Sequence, residues 1–429
     1  MQTTNGKNFI IGYFRQQIAL THRNYRLFLL GQGMSVTGTW IQRIAMIWLA
    51  YRLTNSPFIL GVVGFSEQIP IFIIAPFAGV FADRWNKQHA LIKIESFAMI
   101  QAVLMSVLTL MHVIKIWHII LLSLLLGVIN SFEVPVRQSF VVDMVDGDKN
   151  ALGNAIALNS TVFNLSQLIG PSLAGILISV AGEGWCFMAN ALSYAIVVAS
   201  LILMHISTKP LEARRNRQVI KELREGVHYV KDHLTMRSLL FLLAIISFSN
   251  ASFRILGPVF AKNILHGNAN TFGFLMSAAG VGAIIGAIYL TNHRSTKLLK
   301  RLIHYTGLLL GASLLCFGWS KWLLLSLFFM AIGGLAQMVH TASTNTLLQF
   351  YTDDDKRGRV MSFYAMSLQG MTPFGSLVAG AIAGAIGGPW AIAIMGVICI
   401  AGTFLLRDKN DREIKAKNRW IFRSYKKVE

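Results

Sequence analysis

Charged residues are scarce in this sequence of 429 residues: 14% are Asp, Glu, Lys or Arg, whereas 54% are hydrophobic. A soluble protein of this composition would have too little polar surface to keep its apolar residues away from water. The apolar residues fall in runs of about 20, which is long enough to cross a bilayer core of about 30 Å. Because the runs are continuous, they exclude a β-barrel, whose strands alternate in hydrophobicity. The sequence therefore predicts an all-α polytopic membrane protein.

Acidic residues are scarcer than basic ones: there are 19, against 39 lysines and arginines, for a formal net charge of +20. The basic residues concentrate in and beside alternate loops, and the opposite loops hold only Arg52, Lys115, Lys262 and Lys321. This asymmetry fits the positive-inside rule with both termini in the cytoplasm. The positive charge is therefore a signal of topology, and binding to nucleic acid is not needed to explain it.

Cysteine is rare as well, and Cys186, Cys316 and Cys399 lie in apolar runs without paired spacing. Neither a disulfide framework nor a metal site is predicted. The sequence contains no HExxH motif, nucleophile elbow or Walker motif, so it predicts neither an enzyme nor an ATP-driven pump. Residues 1–26 lack an apolar core followed by a small-residue cleavage site, so we expect no cleaved signal peptide.

The apolar runs number twelve and divide into two sets of six. We place them near 27–51, 57–82, 89–111, 117–140, 152–180, 184–206, 238–262, 271–291, 302–319, 322–351, 360–386 and 388–406. The segment between the sets has apolar residues at helical spacing, which indicates an amphipathic cytoplasmic helix. The predicted parts are a cytoplasmic arm, a first six-helix bundle, a linker, a second six-helix bundle and a basic tail, at 1–26, 27–206, 207–237, 238–406 and 407–429.

The two sets of spans resemble a repeat. An offset of about 211 residues brings Arg43 onto Arg254, with isoleucine after each. An offset of about 207 brings the acidic turn 146–149 onto 353–356. Several matches at nearly one spacing indicate two six-helix halves related by an axis along the membrane normal.

The stretch 130–175 carries polar groups where a lipid-facing helix would have none. Glu133 and Arg137 lie four residues apart near the end of the fourth span. Polar side chains also recur at helical spacing on one face of the fifth span, at Ser160, Asn164 and Gln167. Polar stripes on membrane helices usually line a cavity or a helix interface. We expect a cavity here, in which Asn164 and Gln167 contact the substrate.

Several segments resemble the major facilitator superfamily. GVFADRWNK at 79–87 is similar to the signature between its second and third helices, although Asn86 replaces the usual second glycine and the second-half copy has lost the acid. VPVRQSFVVDMV, NAIALNSTVFNLSQLIGPSLAG and LLQFYTDDDKRGRVMS resemble the drug and siderophore exporter branch. The resemblance covers about 24–406. It implies twelve transmembrane helices in two pseudo-symmetric six-helix bundles, with alternating access to a central cavity.

The same resemblance implies a cytoplasmic gate. In the superfamily, the position of Asp83 braces the ends of the two bundles against each other near the eleventh helix. A carboxylate near the N-terminus of a helix starting about Gly358 would be favoured by the helix dipole, by up to about 1 kcal/mol. Arg84 could also pair with Asp143 at the end of the fourth span. The alternative is that these are ordinary turn residues and cytoplasmic charge.

Ionisable residues within the spans need an explanation, since a charge in hydrocarbon costs at least about 2.5–3.5 kcal/mol on insertion scales. Arg43 and Glu67 fall at similar depth on neighbouring spans, so they could form a salt bridge, which either merely neutralises itself or contributes to binding. Arg254 falls at the symmetric depth, where Glu67, a backbone carbonyl or the substrate could pair with it. Two arginines facing a cavity suit a carboxylate. We therefore predict an anionic substrate, such as a carboxylate siderophore, bound by Arg43, Arg254 and Glu67.

Glu133 is the first candidate for proton coupling, with Arg137 one helical turn on. Burial favours the neutral form of a carboxyl group, and a moving arginine can reset its protonation between states. The alternative is that Glu133 and Arg137 form a structural ion pair. Glu67 is the second candidate.

These observations predict a proton-coupled secondary active exporter of a small molecule, which works by alternating access. The substrate would be a carboxylate-bearing siderophore or a drug, and the driving force would be the proton gradient instead of a cofactor. We expect a monomer in the bacterial cytoplasmic (inner) membrane, with the tail 407–429 either against anionic lipid headgroups or solvated. The alternatives are an uptake symporter of the same fold and, behind it, a non-transporting membrane sensor or scaffold.

Overall fold

A computed structural model describes residues 18–82, 85–145, 148–205, 228–291, 293, 295–353 and 356–425 of the chain. These residues are helical apart from their connections, and no strand occurs among them. A short 3-10 turn, Ile18–Thr21, precedes the first long helix. The longer helices are α1 (Arg23–Thr54), α2 (Pro57–Ala82), α3 (Lys87–Leu110), α4 (Ile116–Met144), α5 (Lys149–Ala181), α6 (Glu183–Ile202), α7 (Leu234–Ile255), α8 (Ala269–Thr291), α9 (Thr296–Trp319), α10 (Leu323–Tyr351), α11 (Arg357–Gln369), α12 (Thr372–Ile386) and α13 (Gly388–Tyr425). A short helix, Gly257–Val259, and a π-helix, Phe260–Ile264, follow α7. The all-α prediction is confirmed.

Within the described residues, 10 helical stretches are long and apolar enough to cross a membrane. The difference from the predicted twelve spans has two physical sources. One is α1, whose interior carries Gln32, Gln42 and Arg43 and is therefore less apolar. The other is the α11–α12 pair, in which two helices of 13 and 15 residues share one predicted span. With these additions the helices correspond to the twelve predicted spans.

The eleventh predicted span, at 360–386, is continuous in the sequence pattern but interrupted in the structure. Proline lacks a backbone N–H, so Pro373 is placed at the start of α12, where that N–H would have no helical partner. Gly370 ends α11, and a Cβ at Gly370 would overlap the ring of Phe72. The close approach of α2 therefore fixes the position of the break.

The helix ends follow from local side-chain chemistry. Asn86, which replaces the usual glycine of the superfamily signature, caps α3 by accepting a hydrogen bond from the backbone N–H of His89 at 3.1 Å. Asp148 caps α5 in the same way, accepting from the N–H of Asn150 at 2.8 Å. Such caps satisfy backbone N–H groups that have no partner inside the helix.

Two glycines form equivalent turns in the two halves of the chain. Gly182 joins α5 to α6 with a φ of 90°, and Gly387 joins α12 to α13 with a φ of 96°. An L-residue with a Cβ is strained at such a φ, whereas glycine adopts it readily. The shared backbone requirement supports the predicted repeat, as do α4 and α10, which are both 29 residues long.

The described helices group into two compact units. Unit 1 contains α1 as far as Met46, and the chain from Ile73 through α6. Unit 2 contains Ile47–Phe72 together with α7 and the helices that follow it. Most of the predicted amphipathic linker helix at 207–237 lies outside the described residues, although residues 228–232 are helical.

The core of unit 1 lies where α1, α3, α4, α5 and α6 meet. Tyr25 and Phe140 are fully buried there, and the Tyr25 hydroxyl donates a hydrogen bond to the carbonyl of Ala155 at 2.8 Å. A smaller cluster joins α3, α4 and α6 through Ala98, Ile129 and Tyr194. The alanines let the helix backbones approach closely, as small residues do in membrane interfaces.

The core of unit 2 combines aromatic packing with a close glycine crossing. The ring of Phe317 lies 5.3 Å from that of Phe253 and 4.6 Å from that of Phe260. On the other side, α8 and α10 cross with their backbones in contact, because a Cβ at Gly282 would overlap the carbonyl of Ala331. The glycines of α8 therefore serve helix packing, as their position in an apolar span predicts.

Candidate functional site

An ion pair lies in the second half of α4. The Arg137 Nε lies 2.7 Å from Oε1 of Glu133, one helical turn away, and each side chain is 16% exposed. The N–H bond of that Nε does not point along the contact, so the interaction is an ion pair rather than a hydrogen bond. Glu133 and Arg137 are therefore brought together as the sequence predicts.

A second buried carboxylate adjoins this pair, and the sequence prediction missed it. Glu95 on α3 is only 3% exposed. The charges of Glu133 and Arg137 both act on its carboxyl group. The signal in the sequence is that Glu95 belongs to a helical stripe with Leu91 and Ala98, both of which are buried. A glutamate in such a stripe faces other helices instead of solvent.

The helix register puts Glu95 at the depth of the ion pair. Lys87 Nζ lies 2.8 Å from Oδ2 of Asp143, which aligns the start of α3 with the end of α4. At 1.5 Å per residue, Glu95 is about 12 Å from Lys87 along the axis, while Arg137 and Glu133 are about 9 and 15 Å from Asp143. Glu95 therefore lies between Arg137 and Glu133 in depth.

A tyrosine of α6 completes this layer. Gln88 donates to the carbonyl of Leu201 at 2.7 Å, which aligns α3 with α6. Glu95 and Tyr194 each lie seven residues from those contacts, or about 10 Å, and so share one depth. The charges of Glu95 and Glu133 act on the Tyr194 hydroxyl. That hydroxyl also lies 3.3 Å from Oγ1 of Thr39 on α1.

Deeper in unit 1, three buried amides form a continuous amide network: Gln42, Gln101 and Asn190, all of them fully buried. Gln42 Nε2 donates to Gln101 Oε1 at 2.9 Å, and Asn190 Nδ2 donates to Gln42 Oε1 at 2.8 Å. Gln101 donates in turn to the carbonyl of Leu122 at 3.2 Å. The network joins α1, α3, α4 and α6, so Asn190 serves helix packing.

The predicted substrate residues of unit 1 lie where α1 meets α5. Arg43 is partly buried, and its guanidinium lies 5.6 Å from the ring centroid of Trp40. The Trp40 ring packs edge-on against Phe163 of α5 at 6.3 Å. Asn164 and Gln167 follow Phe163 on α5 and are partly buried. This placement is compatible with a binding surface shared by α1 and α5.

The predicted substrate residues of unit 2 lie on α2 and α7, which are in contact. Glu67 on α2 is 2% exposed, and Arg254 on α7 is partly buried. Gly64 of α2 packs against the side chain of Ile255, since a Cβ at Gly64 would come within 2.5 Å of it. Glu67 follows Gly64 by about one helical turn, and Arg254 precedes Ile255. The salt bridge between Arg43 and Glu67 stays a prediction.

The predicted gate is described only in part. Asp83 and Arg84 lie outside the described residues. The described partner of Asp143 is Lys87, which also donates to the carbonyl of Ser139 at 3.2 Å. This contact joins the first residue of α3 to the last turn of α4.

His340 of α10 is fully buried in unit 2. Its Nδ1 lies 3.1 Å from the carbonyl of Ile303 and 3.4 Å from Oγ1 of Thr306. It therefore links α10 to α9. Among the described residues, no three His, Cys, Asp or Glu side chains are arranged to hold a metal ion.

The family model described as "Transmembrane secretion effector" matches residues 17–426. The staphyloferrin A transporter of Staphylococcus aureus (strain NCTC 8325 / PS 47) is 27% identical over 370 residues, which are 86% of this chain and 92% of that protein. The multidrug efflux pump Tap of Mycolicibacterium fortuitum is 21% identical, over 86% of this chain and 91% of Tap. Macrolide efflux protein A of Streptococcus pyogenes is 20% identical, over 86% and 92%.

Solved structures show the same fold at low sequence identity. The nucleoside transporter NupG superposes with a TM-score of 0.71 at 12% identity, covering 90% of this chain and 99% of NupG. A bacterial homologue of the human lysosomal transporter Spinster, inward-facing and unoccupied, superposes with a TM-score of 0.69 at 13% identity, covering 90% and 95%. These likenesses confirm the predicted fold class.

Proposed function

We propose that this chain, which belongs to the transmembrane secretion effector family of the major facilitator superfamily, is a proton-coupled exporter of a small molecule. Transport across a membrane is what the family and its relatives have in common. The relatives named as efflux proteins, Tap and macrolide efflux protein A, support export as the direction of transport. The relatives are bacterial, and we place the chain in the bacterial cytoplasmic membrane with both termini inside.

The ion pair of Glu133 and Arg137 carries the proposal of proton coupling. Its two charges are 16% exposed and lie well within α4, where unpaired charges are expensive. If a movement of the neighbouring helices draws the Arg137 side chain away from Glu133, the carboxylate must find another positive partner, and a proton is the smallest one. Proton binding and helix movement are thereby linked, as coupled transport requires.

The substrate class follows from the arginines. We propose that Arg43 and Arg254 bind acidic oxygens of the substrate, and that Glu67, Asn164 and Gln167 also contribute to substrate binding. Guanidinium binds carboxylate through two parallel hydrogen bonds, which gives affinity and orientation together. The relative named staphyloferrin A transporter makes staphyloferrin A the first compound to test, and macrolide efflux protein A makes a macrolide the second.

The proposed drive is tested in liposomes that hold the purified chain. An imposed pH gradient should drive accumulation of staphyloferrin A or of a macrolide, and a protonophore should abolish it. Glu133→Gln should lower this accumulation by about tenfold or more, because a neutral amide cannot exchange a proton. Proton-driven accumulation at the wild-type level in Glu133→Gln would contradict the assignment of Glu133.

The direction of transport is tested with vesicles of both orientations. An exporter accumulates substrate in inside-out vesicles when protons leave the lumen in exchange. Substrate that enters right-side-out vesicles together with protons would instead show an uptake symporter of the same fold.

A further inference from the structure

We propose that Glu95 is a second proton-carrying carboxylate, which forms with Glu133 a carboxylate pair that shares Arg137 and binds a single proton. This inference rests on the proposed proton coupling and names a residue and a proton count for it.

The register of the helices places the three groups in one layer. The ion pair of Lys87 and Asp143 aligns α3 with α4 and puts Glu95 between Arg137 and Glu133 in depth. The hydrogen bond from Gln88 to Leu201 aligns α3 with α6 and puts Tyr194 at the depth of Glu95. Both alignments come from contacts near the helix ends, so they are independent of the charges in the layer.

The charges in this layer do not balance without a proton. Two ionised carboxylates and one guanidinium leave a net charge of −1, and Glu95 is only 3% exposed to solvent. A buried net charge is costly and is usually removed by protonation. One proton converts the pair to a carboxylic acid and a carboxylate and brings the layer to neutrality.

The groups that face Glu95 can be named helix by helix. On α4 they are Glu133 and Arg137, and on α6 the titratable group is Tyr194. On α1 the nearest described polar partner of this layer is the hydroxyl of Thr39, which does not titrate. Arg137 is thus the cation that acts on Glu95, and its distance from each carboxylate decides which one holds the proton.

In the described structure Arg137 is in contact with Glu133, so Glu95 is the carboxylate that carries the proton. When α3 and α4 shift during transport, Arg137 can exchange partners. The proton then leaves Glu95 as Glu95 pairs with Arg137, and Glu133 accepts a proton in its place. No bond other than O–H is made or broken.

Infrared difference spectroscopy of the full chain in lipid tests the proton without any substrate. The wild type should show the carbonyl band of a buried protonated carboxyl group that disappears at high pH. Glu95→Gln and Glu133→Gln should each lose that band, because the remaining carboxylate balances Arg137. Arg137→Gln should keep it to higher pH, because two carboxylates then lack their cation.

Glu183→Gln is the matched control, since Glu183 is also a buried glutamate of unit 1, at 6% exposure, and lies at the opposite end of α6. It should keep the band. A band that survives unchanged in Glu95→Gln, or that disappears equally in Glu183→Gln, would overturn the inference.

Transport assays distinguish a failure of this inference from a failure of the proposed function. In liposomes, Glu95→Gln should lose accumulation driven by a pH gradient by about tenfold or more, yet keep exchange of labelled for unlabelled staphyloferrin A or macrolide. Absence of proton drive in the wild type would refute the proposed function. Proton drive in the wild type that persists in a folded Glu95→Gln variant would refute only the role of Glu95.

Discussion

Unit 1 contains two groups of buried polar residues, the amide network and the carboxylate pair with Arg137, which respond differently to pH. The amide network joins four helices through neutral groups, so its hydrogen bonds persist at any physiological pH. The carboxylate pair and Arg137 carry a net charge that a single proton removes. Buried hydrogen bonds between neutral groups hold a structure in place, whereas a buried unbalanced charge makes its energy depend on pH. In unit 1 the amide network thus holds the helices in place, while the carboxylate pair beside it responds to pH.

The arginines are the residues on which the substrate class depends. Arg43→Ala and Arg254→Ala should each weaken binding of an acidic substrate by about 2 kcal/mol or more, roughly thirtyfold, since truncating a buried charge partner costs 2–5 kcal/mol. The concentration dependence of transport in vesicles measures this change. Arg52→Ala is the control, because Arg52 is exposed at the end of α1. Wild-type affinity in both variants would show that the substrate does not bind through these arginines.

The sequence predicts one half of the acidic site and misses the other for a physical reason. Glu133 and Arg137 are four residues apart, and that spacing on a helix brings side chains together without help from other elements. The burial of Glu95 arises because α4 and α6 cover its face of α3. Local periodicity marks the stripe that contains Glu95, but it cannot show which helices cover that stripe or what charge they bring.

For whole helices, too, the sequence predicts that a close contact forms but not which helix makes it. The glycines of α8 predict a close helix contact, and the structure adds the partner and the geometry. A Cβ at Gly282 would meet the carbonyl of Ala331, and one at Gly334 would meet the carbonyl of Ala279. Each helix thus carries an alanine followed three residues later by a glycine, and the glycine of one helix packs against the alanine carbonyl of the other. The crossing is reciprocal, so neither helix can take a larger residue there.

This crossing predicts the effect of a single methyl group. Gly282→Ala should destabilise unit 2 by about 1–3 kcal/mol, because the added methyl overlaps a backbone carbonyl that cannot move alone. Gly153→Ala on α5 is the control: a Cβ there meets nothing within 4 Å, and alanine should stabilise the helix by about 0.5–1 kcal/mol. Thermal unfolding of both variants in detergent measures the difference. Equal midpoints for the two would show that the α8–α10 contact is looser than described.

At the scale of the whole molecule, charge distribution and helix number set the topology. In the predicted topology, the basic residues lie mostly in the loops on the side of both termini, and the opposite loops are short. The fold class was predictable because most spans are continuous apolar runs, ten of which are long and apolar enough to cross a membrane among the described residues. The break between α11 and α12 was not, since it depends on Phe72 of a distant helix.

The topology can be tested with reporter fusions. Alkaline phosphatase joined after Lys115 or Lys321 should be active, because those loops face the outside in the proposed topology. A fluorescent protein joined after Lys231 or at the C-terminus should fluoresce, because it folds in the cytoplasm. The reversed pattern of activities would show the opposite orientation and would remove the basis for calling the transport export.

Gly182 and Gly387 bear on the ancestry of the chain. A duplicated gene starts as two identical copies, and each copy then diverges as far as its backbone permits. The residues after the two turns now differ, Glu183 in one and Gly388 in the other, yet both turns keep a glycine at positive φ. Both turns keep a backbone conformation that only glycine adopts without strain, as expected of two copies of one ancestral half. At the offset of about 207, Glu133 corresponds to His340, which links two helices. The position that we propose as a proton carrier in one half therefore serves helix packing in the other.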